Sequence, residues 1–189
     1  MNKLISFSLL FFLFTSFLFS QELYLKSGVY KVSEYSEITQ QDINNGKNYG
    51  IIVFNELPNN LQKTQLERQG VKLMEYLPRN SFYAHISKLP TQTEKEAFSI
   101  ARIIPIDEQF KLSSMLVRNE FPHWAFYGEN QIEIIAQYFS NTNTGDILNQ
   151  LHPMGITVIE QDDVNHTLLL RVPKIQLVAL YGIQDFQYF

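Results

Sequence analysis

Leu66-Glu67-Arg68-Gln69-Gly70-Val71 and, 85 positions later, Leu151-His152-Pro153-Met154-Gly155-Ile156 are the two stretches that decide the fold. In each, a leucine stands four residues ahead of a glycine and a β-branched residue follows it. Glycine there is a helix-ending signal, because φ > 0 costs little without a Cβ. The β-branched residue then opens a strand. Working outward, an apolar run precedes each leucine, Ile51 to Phe54 in one copy and Ile132 to Phe139 in the other. Beyond each glycine come a strand-like stretch, Asn80 or Asn165 at the same offset, a second strand-like stretch, a short helical window and a closing β-branched run. An internal repeat settles architecture before any local motif does. The expectation is an α+β chain of two tandem modules, each strand-helix-strand-strand-helix-strand, which points to a binding device rather than an enzyme.

The boundaries follow from the same reading. Residues 1–20 read as a signal peptide: Lys3 gives a positive start, Leu4 to Phe19 is apolar apart from Ser and Thr, and Ser20-Gln21 offers a cleavage site. A membrane anchor of similar length is the alternative. Residues 21–48 are polar, with Gly28, Asn44, Asn45 and Gly46, and read as a leader segment with at most one short strand. Module 1 covers 49–106: a strand at Gly50–Asn55, a helix capped by Asn59 or Asn60 and running to Gln69, strands at Val71–Leu77 and Ser81–Ile86, a helix from Pro90-Thr91 to Phe98, and a closing strand at Ala101–Ile106. Pro105 marks that last strand as an edge or a strand end. A linker, 107–130, carries Phe121-Pro122-His123-Trp124-Ala125, and so many aromatics predict that it packs between the modules or along one of them. Module 2, 131–189, repeats the order with strand Ile132–Phe139, helix Thr144–Met154, strands Ile156–Gln161 and Thr167–Val172, helix Pro173–Tyr181 and strand Ile183–Phe189.

Chemistry is sparse. The chain has no cysteine, which removes disulfides, thiolate zinc sites and thiol catalysis together. Its net charge is −4, with lysines and arginines scattered, so it lacks the basic stripe of a nucleic-acid surface. His85, His123, His152 and His166 have no second histidine or acid at metal-ligand spacing within a helix. Asp162-Asp163 reads as a solvated turn, and Asn165-His166-Thr167 matches a glycosylation acceptor pattern in a place better explained by a turn. No catalytic, cofactor or metal residue is assigned. The one candidate surface comes from alternation along Thr167–Val172: Leu168, Leu170 and Val172 face the helices, leaving Thr167, Leu169 and Arg171 on the outer face as candidate partner-binding residues.

The block Gly50-Ile51-Ile52-Val53-Phe54-Asn55-Glu56-Leu57-Pro58, then Leu66 to Gly70, then Glu75-Tyr76-Leu77-Pro78-Arg79-Asn80-Ser81-Phe82-Tyr83, resembles the N-terminal region of secreted subtilisin-like serine peptidases of Bacteroidetes-type bacteria. Ile104-Pro105-Ile106, Lys111-Leu112-Ser113 and the stretch Val172-Pro173 to Phe189 continue the resemblance to an inhibitor-type subtilase propeptide. The resemblance implies a ferredoxin-like βαββαβ fold in each module, secretion or a periplasmic location, and a role as chaperone and temporary inhibitor of a subtilisin-like catalytic domain. Such propeptides dock a sheet face on two enzyme helices and lay a tail in the cleft. The sequence stops at Phe189 before such a tail and has none of the Asp-Ser/Thr-Gly, His-Gly-Thr or Gly-Thr-Ser-Met-Ala blocks. The expectation is therefore a non-catalytic fragment of a longer precursor. A stand-alone secreted inhibitor and a periplasmic structural or adhesion module are the alternatives.

Overall fold

The computed structural model describes residues 21–189; the signal peptide expected at 1–20 lies outside the described residues. The described chain is mixed α+β, with antiparallel pairing throughout. It starts with a hairpin of β1 (Glu22–Leu25) and β2 (Gly28–Lys31), followed by the short helix α1 (Gln40–Asn44). The leader therefore holds two strands and a helix where its polarity predicts at most one short strand. Its strands are only four residues long, and the burial that holds them comes from distant residues: Leu23 and Val32 are inserted beside Ile51, Val53, Tyr83 and Ile104.

The first large sheet contains β3 (Tyr49–Phe54), β4 (Val71–Leu77), β5 (Ser81–Ile86) and β6 (Ile100–Pro105), in the order β4-β5-β3-β6. Its helices α2 (Asn60–Arg68) and α3 (Gln92–Ala97) start where side chains satisfy the free N–H groups. Asn59 Oδ1 accepts from Gln62 N–H at 2.9 Å and Gln62 Oε1 accepts from Asn59 N–H at 2.9 Å. Thr91 and Glu94 make the same reciprocal cap. Pro105 ends an edge strand, where its missing N–H leaves no ladder bond unmade.

The linker is structured rather than loose. It holds α4 (Glu108–Lys111), α5 (Ser114–Val117), a 3₁₀ turn at His123–Ala125 and the two-residue strand β7 (Phe126–Tyr127). The second sheet is built from β8 (Gln131–Tyr138), β9 (Thr157–Asp162), β10 (Thr167–Pro173) and β11 (Phe186–Tyr188), in the order β11-β8-β10-β9. Numbered within their own halves, the four strands of each sheet lie in the same order. Helices α6 (Thr144–Leu151) and α7 (Leu177–Tyr181) cover one face. Two expected elements are shorter: Pro173 closes β10 instead of opening a helix, and the last strand keeps only three of the seven residues of Ile183–Phe189.

The duplicated signature holds at its centre and drifts at its turn. Leu66 and Leu151 are buried, and Gly70 and Gly155 have φ of +96° and +68°. Asn80 also takes a left-handed conformation, φ +58°, but in the second copy His166 does so, φ +53°, not Asn165. The β9–β10 connection between Asp162 and Thr167 is one residue longer than the β4–β5 connection between Leu77 and Ser81, which displaces the equivalence.

Candidate functional surface

The alternation read along β10 appears in the structure. Leu168, Leu170 and Val172 are fully buried against the α6 and α7 side, while Thr167, Leu169 and Arg171 are half-buried on the other side. Leu169 lies opposite Ile135 of β8, which is 63% exposed. Together they floor a groove of about 490 Å³ walled by the linker residues Met115, Leu116, Phe121 and Trp124. Trp124 is 77% exposed. The structure thus brings Thr167 and Leu169 together in one apolar groove. Arg171 is not part of its lining.

Arg171 is occupied elsewhere. Its Nε and Nη2 donate to Glu133 Oε1 at 3.0 and 2.7 Å, and the guanidinium lies 3.3 Å over the Tyr127 ring. Lys174 sits likewise over Phe126, at 4.5 Å. These two contacts pin β7 to the sheet at one end of the groove. At the other end, Lys26 reaches in from the β1–β2 turn, where its Nζ donates to Gln137 Oε1 at 2.6 Å and lies 5.4 Å from the Tyr188 ring centre.

The backbone of β8 shows a gap in its outer ladder. Tyr138 N–H donates to His166 O on the β10 side and Phe139 N–H to Asp185 O on the outer side. Alternation then turns the N–H and C=O of Ile135 to the outer edge of the sheet. The outer pairing is supplied by β7 only at Gln131 and Ile132 and by β11 only at Gln137 and Tyr138, so Ile135 lies between the two.

The first sheet offers no such surface. All six residues of β3 are buried. One side packs on Leu66 of α2 with Ile38, Ile43 and Phe98. The other is closed by Leu23, Val32, Phe110 and Phe139. Phe139 follows β8 in the second half, yet its ring stacks on Tyr49 of β3 at 4.2 Å and 11° and meets Tyr83 edge-on at 5.5 Å. Tyr49 Oη completes this junction with Asn141 Oδ1 at 3.1 Å and Thr142 Oγ1 at 2.9 Å.

Sequence reasoning missed Lys26 and Ile135 of the groove, and it missed Lys111. Lys111 is fully buried, and its Nζ donates to Tyr181 O at 3.1 Å and Ile183 O at 2.7 Å, capping the carbonyl end of α7. Burial pushes its ammonium down to about 8, partly offset by Glu108, Asp185 and Asp107. Its carbonyl accepts from Phe189 N–H at 2.7 Å, and Ser113 N–H donates to Phe189 O at 3.1 Å. A lysine carries no burial signal in a sequence.

The remaining polar residues shape the fold. Asp162 accepts from Val164 N–H at 2.9 Å, from Asn165 N–H at 3.0 Å and from the Asn165 side-chain amide at 2.6 Å. The bonds from Asn165 hold its carboxyl below its usual value. Asp163 accepts from Gln161 at 2.6 Å and Tyr138 Oη at 3.3 Å. His85 is half-buried with its ring edge-on to Tyr49 at 5.3 Å, and burial together with Lys72 lowers its pKa. His166 meets the Tyr138 ring at 5.5 Å. Among the described residues, no three of His, Asp and Glu gather closely enough to hold a metal ion, and no helix is long and apolar enough to cross a membrane.

A family described as a domain of unknown function (DUF8729) matches residues 24–107. That match starts inside β1 and ends two residues after β6, so the hairpin and the first sheet fall within one stretch. No curated protein and no solved structure matches the chain.

Proposed function

We propose that the protein is an exported, non-catalytic, propeptide-like chain of two ferredoxin-like modules that docks on the catalytic domain of a subtilisin-like serine peptidase. The observation that carries this reading is the asymmetry of the two sheets. They share one strand order, yet the first is closed on both faces and the second is open on one, where Ile135 is exposed beside the half-buried Leu169. A half-apolar sheet face of this kind suits packing against partner helices. The reading assigns docking to the second module alone and gives the first the part of a scaffold, with Phe139 fixing the two halves together and Lys111 holding the linker to the second.

The test is titration of a subtilisin-like catalytic domain with the purified protein, following both binding and peptide hydrolysis. Binding with Kd on the order of micromolar is expected. Leu169→Asp should weaken it by about tenfold or more, because a charge would be desolvated at the contact, whereas Val164→Asp at the exposed tip of the β9–β10 hairpin should leave it unchanged. Absence of binding, and of any effect on refolding of that domain, would leave the structural or adhesion reading in its place.

A further inference from the structure

The groove on the second sheet has a chemistry of its own, independent of the peptidase reading. Three charged side chains line it: Lys26, Glu120 and Glu133. Glu133 is neutralised by Arg171 at 2.7 Å and Glu120 by Arg118 at 2.7 Å. Lys26 has no carboxylate within ion-pair distance among the described residues; its only polar contact is the Gln137 amide. The rest of the lining is mainly apolar, with Met115, Leu116, Phe121, Trp124, Ile135 and Leu169 as its larger members. Lys26 stands at the Gln137 end and the Glu133–Arg171 pair at the other. The four steps along β8 from Glu133 to Gln137 span about 13 Å at the usual rise per residue. A volume of about 490 Å³ lies within the range of small-molecule sites.

We infer that this groove binds a fatty carboxylate, with its unbranched tail along Ile135 and Leu169 under Trp124 and its carboxylate on the Lys26 ammonium. The charge pattern selects this ligand. Lys26 is exposed and hydrated in the free protein, so a carboxylate at this end adds an ion pair that a neutral apolar molecule would not, and a cationic amphiphile would meet like charge there. At the far end both charges are already paired, so nothing there competes for the head group. Ile135 and Leu169 supply the apolar floor, and the outward amide edge of Ile135 stays hydrated at the margin. No covalent step is involved.

Trp124 is the single tryptophan of the chain, so its emission reports on the groove directly. The experiment titrates the purified protein with dodecanoate below its micelle concentration. Dodecyltrimethylammonium serves as the cationic counterpart, octanoate and hexadecanoate test tail length, and calorimetry provides a second readout. Expected results are a saturable blue shift with one dodecanoate bound, affinity rising from octanoate to dodecanoate with little further gain for hexadecanoate, whose tail outruns the groove, and at least fivefold weaker binding of the cationic analogue. Lys26→Ala should erase the preference for the anion while leaving the tail dependence, and Ile135→Glu, at an exposed position that the fold does not need, should remove binding of both. Equal affinity for the two head groups, an unchanged preference in Lys26→Ala, or no saturation would overturn the assignment. The peptidase titration is scored separately, so either idea can fail without the other.

Discussion

Phe139→Ala tests whether the two halves are one folding unit. The ring is 1% exposed and belongs to the core on the hairpin side of the first sheet, although its own chain segment continues β8. Truncation removes the ring from between Tyr49 and Tyr83 and leaves a cavity at the junction, at a cost of about 3–5 kcal/mol for a buried Phe→Ala change. A part of that is the stacked contact itself, about 0.5–1.5 kcal/mol. Against a total stability of about 5–15 kcal/mol for a chain of this kind, the loss is large. It also falls unequally. The second sheet retains its core of Ile134, Ala136, Leu168, Leu170 and Val172 under α6 and α7, whereas the first loses one wall of its outer core. The assay is urea unfolding followed by circular dichroism, together with native-state hydrogen exchange resolved by segment. In the parent protein both halves should open in one transition. In Phe139→Ala the amides of β3 and β5 should lose protection at lower urea than those of β8 and β10. A destabilisation below about 1 kcal/mol, or equal loss of protection in both sheets, would refute the coupling drawn from this contact.

Stability should rise with pH between about 8 and 10 because of Lys111: its folded pKa of about 8 lies below its ordinary value, so over that window the unfolded chain holds more protons and is progressively disfavoured. A gain of about 2 kcal/mol by pH 9.5, absent in Lys111→Met, is the expected result in denaturant titrations. Gly70→Ala should cost more than Gly155→Ala. Both force a left-handed alanine, at about 1–2 kcal/mol, but only at Gly70 would the new Cβ also meet Ser87 Oγ at 2.7 Å, while at Gly155 nothing lies within 4 Å. The purified protein is expected to leave casein intact, and reproducible cleavage sensitive to a serine-peptidase inhibitor would contradict the proposed function. Leu23→Asp, placing a charge in a fully buried site, should destabilise the first sheet by several kcal/mol, with thermal unfolding as the measure.

What the sequence made readable was local and periodic. The leucine–glycine pairs located two helix ends, and the alternation along Thr167–Val172 separated a buried from an open side. Asn59 and Thr91 announced helix starts that their capping bonds confirm. What it concealed was burial decided across long separations. Leu23 and Val32 lie in a polar, glycine-bearing leader whose strands are too short to show a period. Phe139 reads as the end of a strand in its own half and is used by the other. Lys111 has a charge that ordinarily marks a surface. The groove was half legible: Thr167 and Leu169 follow from period two, but the wall over them is a linker whose path no periodicity describes. Arg171 shares their face and yet is held by Glu133 and Tyr127, a pairing that depends on strand register.

The N-terminal hairpin has a consequence for the order in which the molecule assembles. Ser27 Oγ donates to the carbonyl of Phe110, 83 residues downstream, and Lys26 to Gln137, 111 residues downstream. The apolar partners of Leu23 and Val32 lie mostly in the first sheet, so the hairpin's core side is available early, but its last contacts form only when the linker and β8 exist. Closing loops of that length before any contact rewards them slows the final step. Until the first sheet forms, Leu23, Leu25 and Val32 stay available to any apolar surface nearby, a chaperone or another nascent chain. Synthesis from the N-terminus therefore leaves the first half short of its contacts with Phe110 and Phe139 until the linker and β8 follow.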